Sequence, residues 1–292
     1  MSKLESSIKI VCMDLVTSQL IDLALQEDLG EVGDVTSAYF VPEEKMSEAY
    51  IYAKADGVVA GLDVAYDVFR RVDPDLSVAL LKNNGDTIVY GDHVLEVSGS
   101  ARSILTAERI ALNFLQRLSG IASQTAVFVA QVEGTNARVL DTRKTTPGWR
   151  VLEKMAVAAG GGTNHRKGLY DRAMVKDNHL MAQNKLEMLQ QGIDQLKIDH
   201  PEVQVELEAD TLDQVEGFLS LRGVDFILLD NMSIEQLIRA VEMRGAQGPL
   251  LEASGGVNLS TVAGIARTGV DFISVGALTH SVAALDLSLE IR

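Results

Sequence analysis

Between Arg138 and Lys176 the sequence gathers nine Lys/Arg against three Asp/Glu, in a chain of 292 residues whose formal net charge is −15. Concentrating positive charge in an acidic protein costs self-repulsion, and it focuses a positive field on one place. Two short apolar runs in this window lead into basic residues: Arg138–Leu140 runs on to Arg143-Lys144, and Ala173–Val175 ends at Lys176. Between them lie Gly160 to Gly162, followed by Asn164-His165-Arg166. A basic residue in a loop is most often part of a solvated face. Here, however, Arg143-Lys144 and Lys176 each follow a strand-like run, which puts them at the same edge of a sheet. Two strand ends presenting Arg and Lys, with a Gly-rich turn and His-Arg between them, describe a pocket for a polyanionic small molecule.

Later strand-like runs end in different chemistry. Glu208, in VELEAD, and Asp230, in LLDN, lie on successive strand ends and could jointly hold Mg2+, directly or through water, since that ion takes one or two carboxylates and leaves its other positions to water and phosphate oxygens. The plainer reading is that each carboxylate caps the helix that follows, and Asp230 does precede a helical pattern starting at Ile234. Ser254-Gly255-Gly256 and Ser274-Val275-Gly276 close the last two runs. Glycine lets backbone approach a phosphate closely, and helix N-termini favour anions. Either turn alone is a weak signal; on neighbouring strands they form a consistent phosphate-binding pair. His93, His200 and His280 read as structural.

The elements that must position these groups follow from periodicity. A helical stripe covers Met13 to Asp28, and the Gly/Asp-rich EDLGEVGDVTS reads as a loop. Strand composition at Ala49 to Ala60, a helix at Ala65 to Val72 and short β segments from Ser77 to Val97, split by turns, make the first third α+β. A helix of ~30 residues, or ~45 Å, runs from about Ser103 to Val132 and is expected to break or bend at Gly120. It carries too many apolar positions for a free-standing connector. From Ala137 onward, short β runs alternate with helical patterns, which implies parallel strands with helices outside. The fold class is therefore α/β: a parallel β/α barrel of about six or seven strands, with functional groups at the C-terminal strand ends, joined to an N-terminal α+β domain. The boundaries read as 1–115 for the first domain and 116–276 for the barrel, with the tail 277–292 packing back on the first domain.

Composition limits the function classes. Hydrophobic residues make up 47% and mean hydropathy is +0.11, ample for a sizeable core. A pI near 4.7 argues against general nucleic-acid binding. One cysteine, Cys12, leaves no disulfide framework and points to a reducing cytoplasm. The N-terminus lacks a secretory signal, and no run approaches eighteen apolar residues, so a membrane association is not expected.

DTRKTTPG at 141–148, EKxAVxxGGGxNHRxGLxD at 153–171 and KDNH at 176–179 together resemble the quinolinate phosphoribosyltransferases, the carboxylating nicotinate-nucleotide pyrophosphorylases. The resemblance runs from EDLGEVGDVTS to SVGALTHS, nearly the whole chain. It implies transfer of phosphoribose from phosphoribosyl pyrophosphate to quinolinate with decarboxylation, giving nicotinate mononucleotide, pyrophosphate and carbon dioxide with Mg2+, as a step of NAD biosynthesis. It implies that Glu208 and Asp230 face the ribose and pyrophosphate, and that Arg109, in TAERIALN, reaches into the site of a neighbouring subunit in a homodimer. Arg109 is otherwise a surface helix residue beside Glu108. Arg143, His165, Arg166 and Lys176 would then hold the dicarboxylate, because two arginine forks suit two carboxyl groups and a histidine can bond ring nitrogen or carboxylate. Lys144 would point to phosphate, and Lys144, Lys176, Glu208 and Asp230 would carry the catalysis. Two rivals stand beside this reading: a phosphoribosyltransferase of the same fold taking another aromatic acid, and a non-catalytic anion-binding barrel.

Overall fold

A computed structural model describes residues 14–176 and 185–292; Cys12 and the Asp177-Asn178-His179 part of KDNH lie outside these. The chain begins with α1 (Leu15–Leu29), whose first N–H groups are capped by Asp14, and α2 (Val35–Phe40), capped by Asp34. Next come β1 (Met46–Ala53), β2 (Gly57–Val58), α3 (Leu62–Val72), β3 (Ser77–Leu80), β4 (Thr87–Ile88) and β5 (His93–Ser100). Strands β1, β5 and β3 form an antiparallel sheet, and its fourth strand comes from the far end of the chain. This is β12 (Leu287–Ile291), which pairs with β1 from Ala49↔Ile291 to Ala53↔Leu287.

The long helix α4 (Ala101–Gln131) links the two halves without interruption. A domain boundary at 115/116 falls inside it. Gly120 does not break the helix. The Ala283–Ala284 backbone crosses there, and a Cβ would fall inside contact with the Ala283 carbonyl oxygen. The apolar positions of α4 are covered within the same chain: Ile104, Ile110, Leu115, Leu118 and Ile121 are all buried, packed against α3, the β2 strand, β12 and the helix α5 (Arg150–Ala159). The helix is thus no free-standing connector, as its composition implied, and the cover of these positions comes from its own chain.

The second half is the parallel layer. Strands β6 (Arg138–Leu140), β7 (Arg172–Val175), β8 (Gln204–Ala209), β9 (Phe226–Asp230), β10 (Leu250–Ser254) and β11 (Phe272–Ser274) form one sheet in the order β6-β11-β10-β9-β8-β7. Helices α5, α6 (Lys185–Asp199), α7 (Leu212–Leu219), α8 (Ile234–Arg244), α9 (Val262–Ala266) and α10 (Ala277–His280) alternate with them. The end strands β6 and β7 are not paired to each other; a single parallel bridge, Leu140↔Thr163, extends the β6 edge toward the gap. Gly160 and Gly162 precede that bridge, and both are there because α4 is too close for a side chain: a Cβ at Gly160 would collide with the Ala122 carbonyl oxygen, and one at Gly162 would crowd Thr125 and Val157. The Gly-rich turn thus seats the bridge segment, and the Asn164-His165-Arg166 that follows it, against α4.

Candidate active site

Strand alternation sets the levels of the barrel interior. Glu206 and Glu208 lie two apart on β8 and share a face, as do Glu252 and Ser254 on β10. Ser254 is in register with Asp230, and Lys176 immediately follows Val175, the partner of Leu207. An upper level at the strand ends therefore contains Lys176, Glu208, Asp230 and Ser254. One residue pair deeper lie Glu206 and Glu252, both fully buried.

At the upper level Lys176 forms an ion pair with Glu208. Carboxylate oxygens of Glu208, Asp210 and Asp230 lie within 4.8 Å of one another. None of the strand-end pair serves as a helix cap: Thr211 caps α7 and Ser233 caps α8, each in a capping box with Gln214 or Gln236. The capping alternative for Glu208 and Asp230 is thereby answered, and Asp210 joins them. Asn231 holds φ 53, the sole non-glycine residue with positive φ among those described. Its amide Nδ2 donates to Asp230 (2.7 Å) and its N–H to the Ser254 carbonyl (2.8 Å). A side chain in this left-handed region is costly and collects at functional sites. Gly255 (φ +92) must be glycine both for that φ and because a Cβ would strike Asn231.

The basic side gathers on the other edge. Arg143 is half-buried, and its Nε is shut from solvent with no hydrogen-bond partner among the described residues. Arg166 donates to the Arg172 carbonyl (3.1 Å) and touches the Met174 sulfur (3.4 Å). Burial and the nearby charge of Arg143 both push its pKa down. The two guanidinium groups are thus close enough for one charge to disfavour the other. Lys144 is exposed; its carbonyl accepts from Thr279 Oγ1 (2.7 Å), and its stem lies so close to Gly276 that a Cβ there would stand 3.1 Å from Lys144 Cδ. The structure so brings Lys144 to the turn after β11. Two other members of that turn look elsewhere. Ser274 donates its hydroxyl to Glu252 (2.5 Å), and Val275 is buried with its N–H given to the Leu140 carbonyl (2.9 Å).

His165 lies beneath this space rather than in it, 6% exposed, with Nε2 3.3 Å from both Glu206 and Glu252. Burial lowers its pKa, but the two carboxylates outweigh burial and carry it up to about 9. The Arg166 N–H lies 2.7 Å from Nδ1 and fixes the ring's orientation, with Nε2 toward the glutamates. The ligand atoms of His165, Glu206 and Glu252 also cluster closely, with Nε2 engaged by both glutamates. Burial raises both glutamates; His165 and Arg172 (3.5 Å) pull Glu206 below the usual range, whereas Glu252, beside Glu206's charge, stays above it.

Arg109 is exposed, its guanidinium 60% accessible and 4.0 Å from Glu108, as the plain surface reading has it. Sequence reasoning missed Asp210, Asn231, Glu206 and Glu252. Asp210 follows Glu208 at a spacing of two, and Glu206 precedes it at the same spacing, so the pattern E-x-E-x-D was the available signal.

The family domain described as quinolinate phosphoribosyl transferase, C-terminal domain, matches residues 121–290, and the corresponding N-terminal domain matches 34–119. The chain is 43% identical over 287 residues to the chloroplastic nicotinate-nucleotide pyrophosphorylase [carboxylating] of Arabidopsis thaliana, covering 93% of this chain and 82% of that protein. It is 41% identical over 272 residues to the enzyme of the same name from Mycobacterium leprae, covering 92% and 94%. The solved nicotinate-nucleotide pyrophosphorylase from Francisella tularensis superposes with a TM-score of 0.88 at 34% identity, over 95% of this chain and 96% of that one. With both domains matched in order and a relative 43% identical over nearly the whole chain, the chain belongs to the quinolinate phosphoribosyltransferase family.

Proposed function

We propose that the protein transfers phosphoribose from phosphoribosyl pyrophosphate to the ring nitrogen of quinolinate and releases the 2-carboxylate as carbon dioxide, forming nicotinate mononucleotide and pyrophosphate. One observation carries this reading: Arg143 and Arg166 repel each other across a partly desolvated space, and Arg143 keeps a buried Nε donor unused. A planar dicarboxylate relieves both conditions at once, since each carboxylate takes a forked pair of charge-assisted bonds. Lys176 follows β7 and pairs with Glu208 at the same strand ends, and His165 supports Arg166 from below.

Lys144 and the Ser254-Gly255-Gly256 and Gly276 turns take the phosphate end. Glu208, Asp230 and Asp210 offer the carboxylate oxygens that a hard divalent cation such as Mg2+ prefers; bound there, Mg2+ would neutralise charge on the pyrophosphate. No protein nucleophile is needed, because the substrate's ring nitrogen attacks the anomeric carbon. The chain's own part is to align the two reactants and to stabilise charge as pyrophosphate leaves. The quaternised ring then accepts the electron pair left on C2 when the carboxylate departs, and a proton completes the product. A pure anion binder would not place three carboxylates beside its ligand. The single cysteine supports a cytoplasmic setting, and no helix among the described residues is long and apolar enough to cross a membrane.

A homodimer with Arg109 completing the neighbour's site belongs to the same proposal. Its support is the exposure of Arg109 and the apolar surface nearby: Val32, Tyr39 and Phe40 are each more than four-fifths exposed, and their segment docks on α4 through Asp34 and Thr106 (3.0 Å). The direct test is formation of nicotinate mononucleotide from quinolinate and phosphoribosyl pyrophosphate, with nicotinate as the control acid. Equal turnover of both acids refutes the substrate assignment.

A further inference from the structure

Two adjacent charges on α5, Glu153 and Lys154, are almost wholly buried, yet neither reaches the reactants. Burying a charge is costly unless it is paired and hydrogen-bonded. Two in succession mark a position where the fold accepts that cost. Their partners divide cleanly. Lys154 pairs with Asp141 and donates to the His165 carbonyl (2.9 Å). Asp141 also accepts the His165 N–H (2.8 Å). Asn164, with its amide nitrogen turned inward, donates to Asp141 (2.6 Å) and to the Lys154 carbonyl (2.9 Å). Asp141 stands two residues before Arg143, and His165 stands one before Arg166. Lys154 therefore fixes, through one ammonium group, the backbone that launches both arginines of the acid clamp.

Glu153 works in the other direction. One oxygen accepts from Arg117 (3.1 Å) and the Thr146 hydroxyl (2.9 Å), the other from the Thr146 N–H (3.1 Å). Arg117 in turn donates to the Thr279 carbonyl (2.7 Å) and the Val282 carbonyl (3.1 Å), and Thr279 holds the Lys144 carbonyl. Glu153 thereby locks the loop after Lys144 to the turn beside Gly276, where the phosphate end of the site was placed.

We infer that Glu153 and Lys154 are positioning residues with opposite substrate assignments: Lys154, with Asp141, sets the geometry that binds the pyridine dicarboxylate, and Glu153, with Arg117, sets the geometry that binds phosphoribosyl pyrophosphate. The inference rests on the proposed roles of Arg143, Arg166 and Lys144. A general structural role would weaken both substrates together; a divided role separates them. A displacement of about 1 Å at a remote support can cost on the order of a hundredfold, so effects of tenfold or more are expected on the affected KM alone.

The test uses the full chain and measures KM for each substrate in three variants. Asp141→Asn with Lys154→Met removes both buried charges together, so neither is left unpaired; its KM for quinolinate should rise at least about tenfold while that for phosphoribosyl pyrophosphate stays unmoved. Glu153→Gln should do the reverse. Arg143→Ala tests the clamp itself and should raise the quinolinate KM. If the paired variant does not fold, Lys154→Arg, which keeps the charge but overfills the site, should give the same one-sided shift. Equal shifts in both KM values, or none, with Arg143→Ala behaving as expected, overturn the division of labour and leave the clamp standing. A quinolinate KM untouched by Arg143→Ala overturns the clamp and this inference with it.

Discussion

The acid clamp can be dissected by removing one carboxylate from the ligand and one guanidinium from the protein. Pyridine-2-carboxylate and pyridine-3-carboxylate each retain half of quinolinate. A hydrogen bond to a charged group contributes about 1.5–3 kcal/mol net, and a forked Arg–carboxylate pair makes two. Desolvation of an already half-buried Arg166, or of the buried Arg143 Nε, offsets part of this. A net of about 2–3 kcal/mol per carboxylate, ~30- to 150-fold in Kd, is then expected. Arg143→Met and Arg166→Met should each weaken quinolinate by about that factor. Each should leave unchanged the mono-acid that lacks the carboxylate its arginine holds, and the two variants should show opposite indifference. The ligand-free structure adds a second sign: Arg143 lowers the pKa of Arg166, so either Met variant removes a repulsion and should melt higher than wild type while binding less well. Titration calorimetry with the three acids and a thermal melt without ligand give all the required numbers. If both variants weaken both mono-acids alike, or if either melts markedly lower, the arginines are not a divided clamp.

Replacing Glu208 or Asp230 with Ala should raise the Mg2+ concentration needed for phosphoribosyl pyrophosphate use by tenfold or more, on the order of one lost carboxylate ligand, and leave quinolinate affinity measured by calorimetry largely intact. Mixing Arg109→Ala with Lys144→Ala subunits under exchange should restore activity toward about a quarter of wild type, since random pairing makes half the dimers mixed and each has one complete site; no recovery, or a monomer in sedimentation, refutes a shared site. Asp34→Ala removes the cap of α2 and its bond to Thr106 and should cost about 1 kcal/mol near neutral pH. Hydrogen bonds from Ser37 hold the Asp34 carboxyl below its ordinary 3.8. Its contribution is therefore complete above that value and is lost as pH falls through the lower folded value, so the gap between Asp34→Ala and wild type in denaturant titrations should close in acid.

The barrel was legible because its strands are short apolar runs whose ends change chemistry, and that change marks the edge where function collects. Arg143, Lys144, Lys176, Glu208 and Asp230 all stand where such a run stops, and the structure keeps each at the same end of the sheet. Gly120 was misread because a glycine inside a helix signals weakness locally, whereas its cause is a chain segment more than 160 residues away in sequence. The apolar excess of α4 announced its burial but not its partners: the cover comes from α3, α5 and the returning β12, none of which periodicity within the helix can reveal. Asn231 left no trace at all, since a left-handed asparagine is a property of the turn's closure on Ser254 and not of its neighbours.

Glu206 and Glu252 show how a site can lie deeper than its visible edge. Each interrupts an otherwise apolar strand, and in isolation each reads as a strand-end acid placed one step early. In the fold they meet under His165, with Arg172 3.5 Å from Glu206. His165, which the two carboxylates draw toward its protonated form, and Arg172 set positive charge against them. The floor of the barrel is thus close to electrically neutral. That neutrality matters for what lies above it. A charged floor of two carboxylates would compete with an anionic ligand for Arg143 and Arg166; a neutral one leaves the clamp's positive field directed at the mouth, where the acidic remainder of the chain cannot reach it.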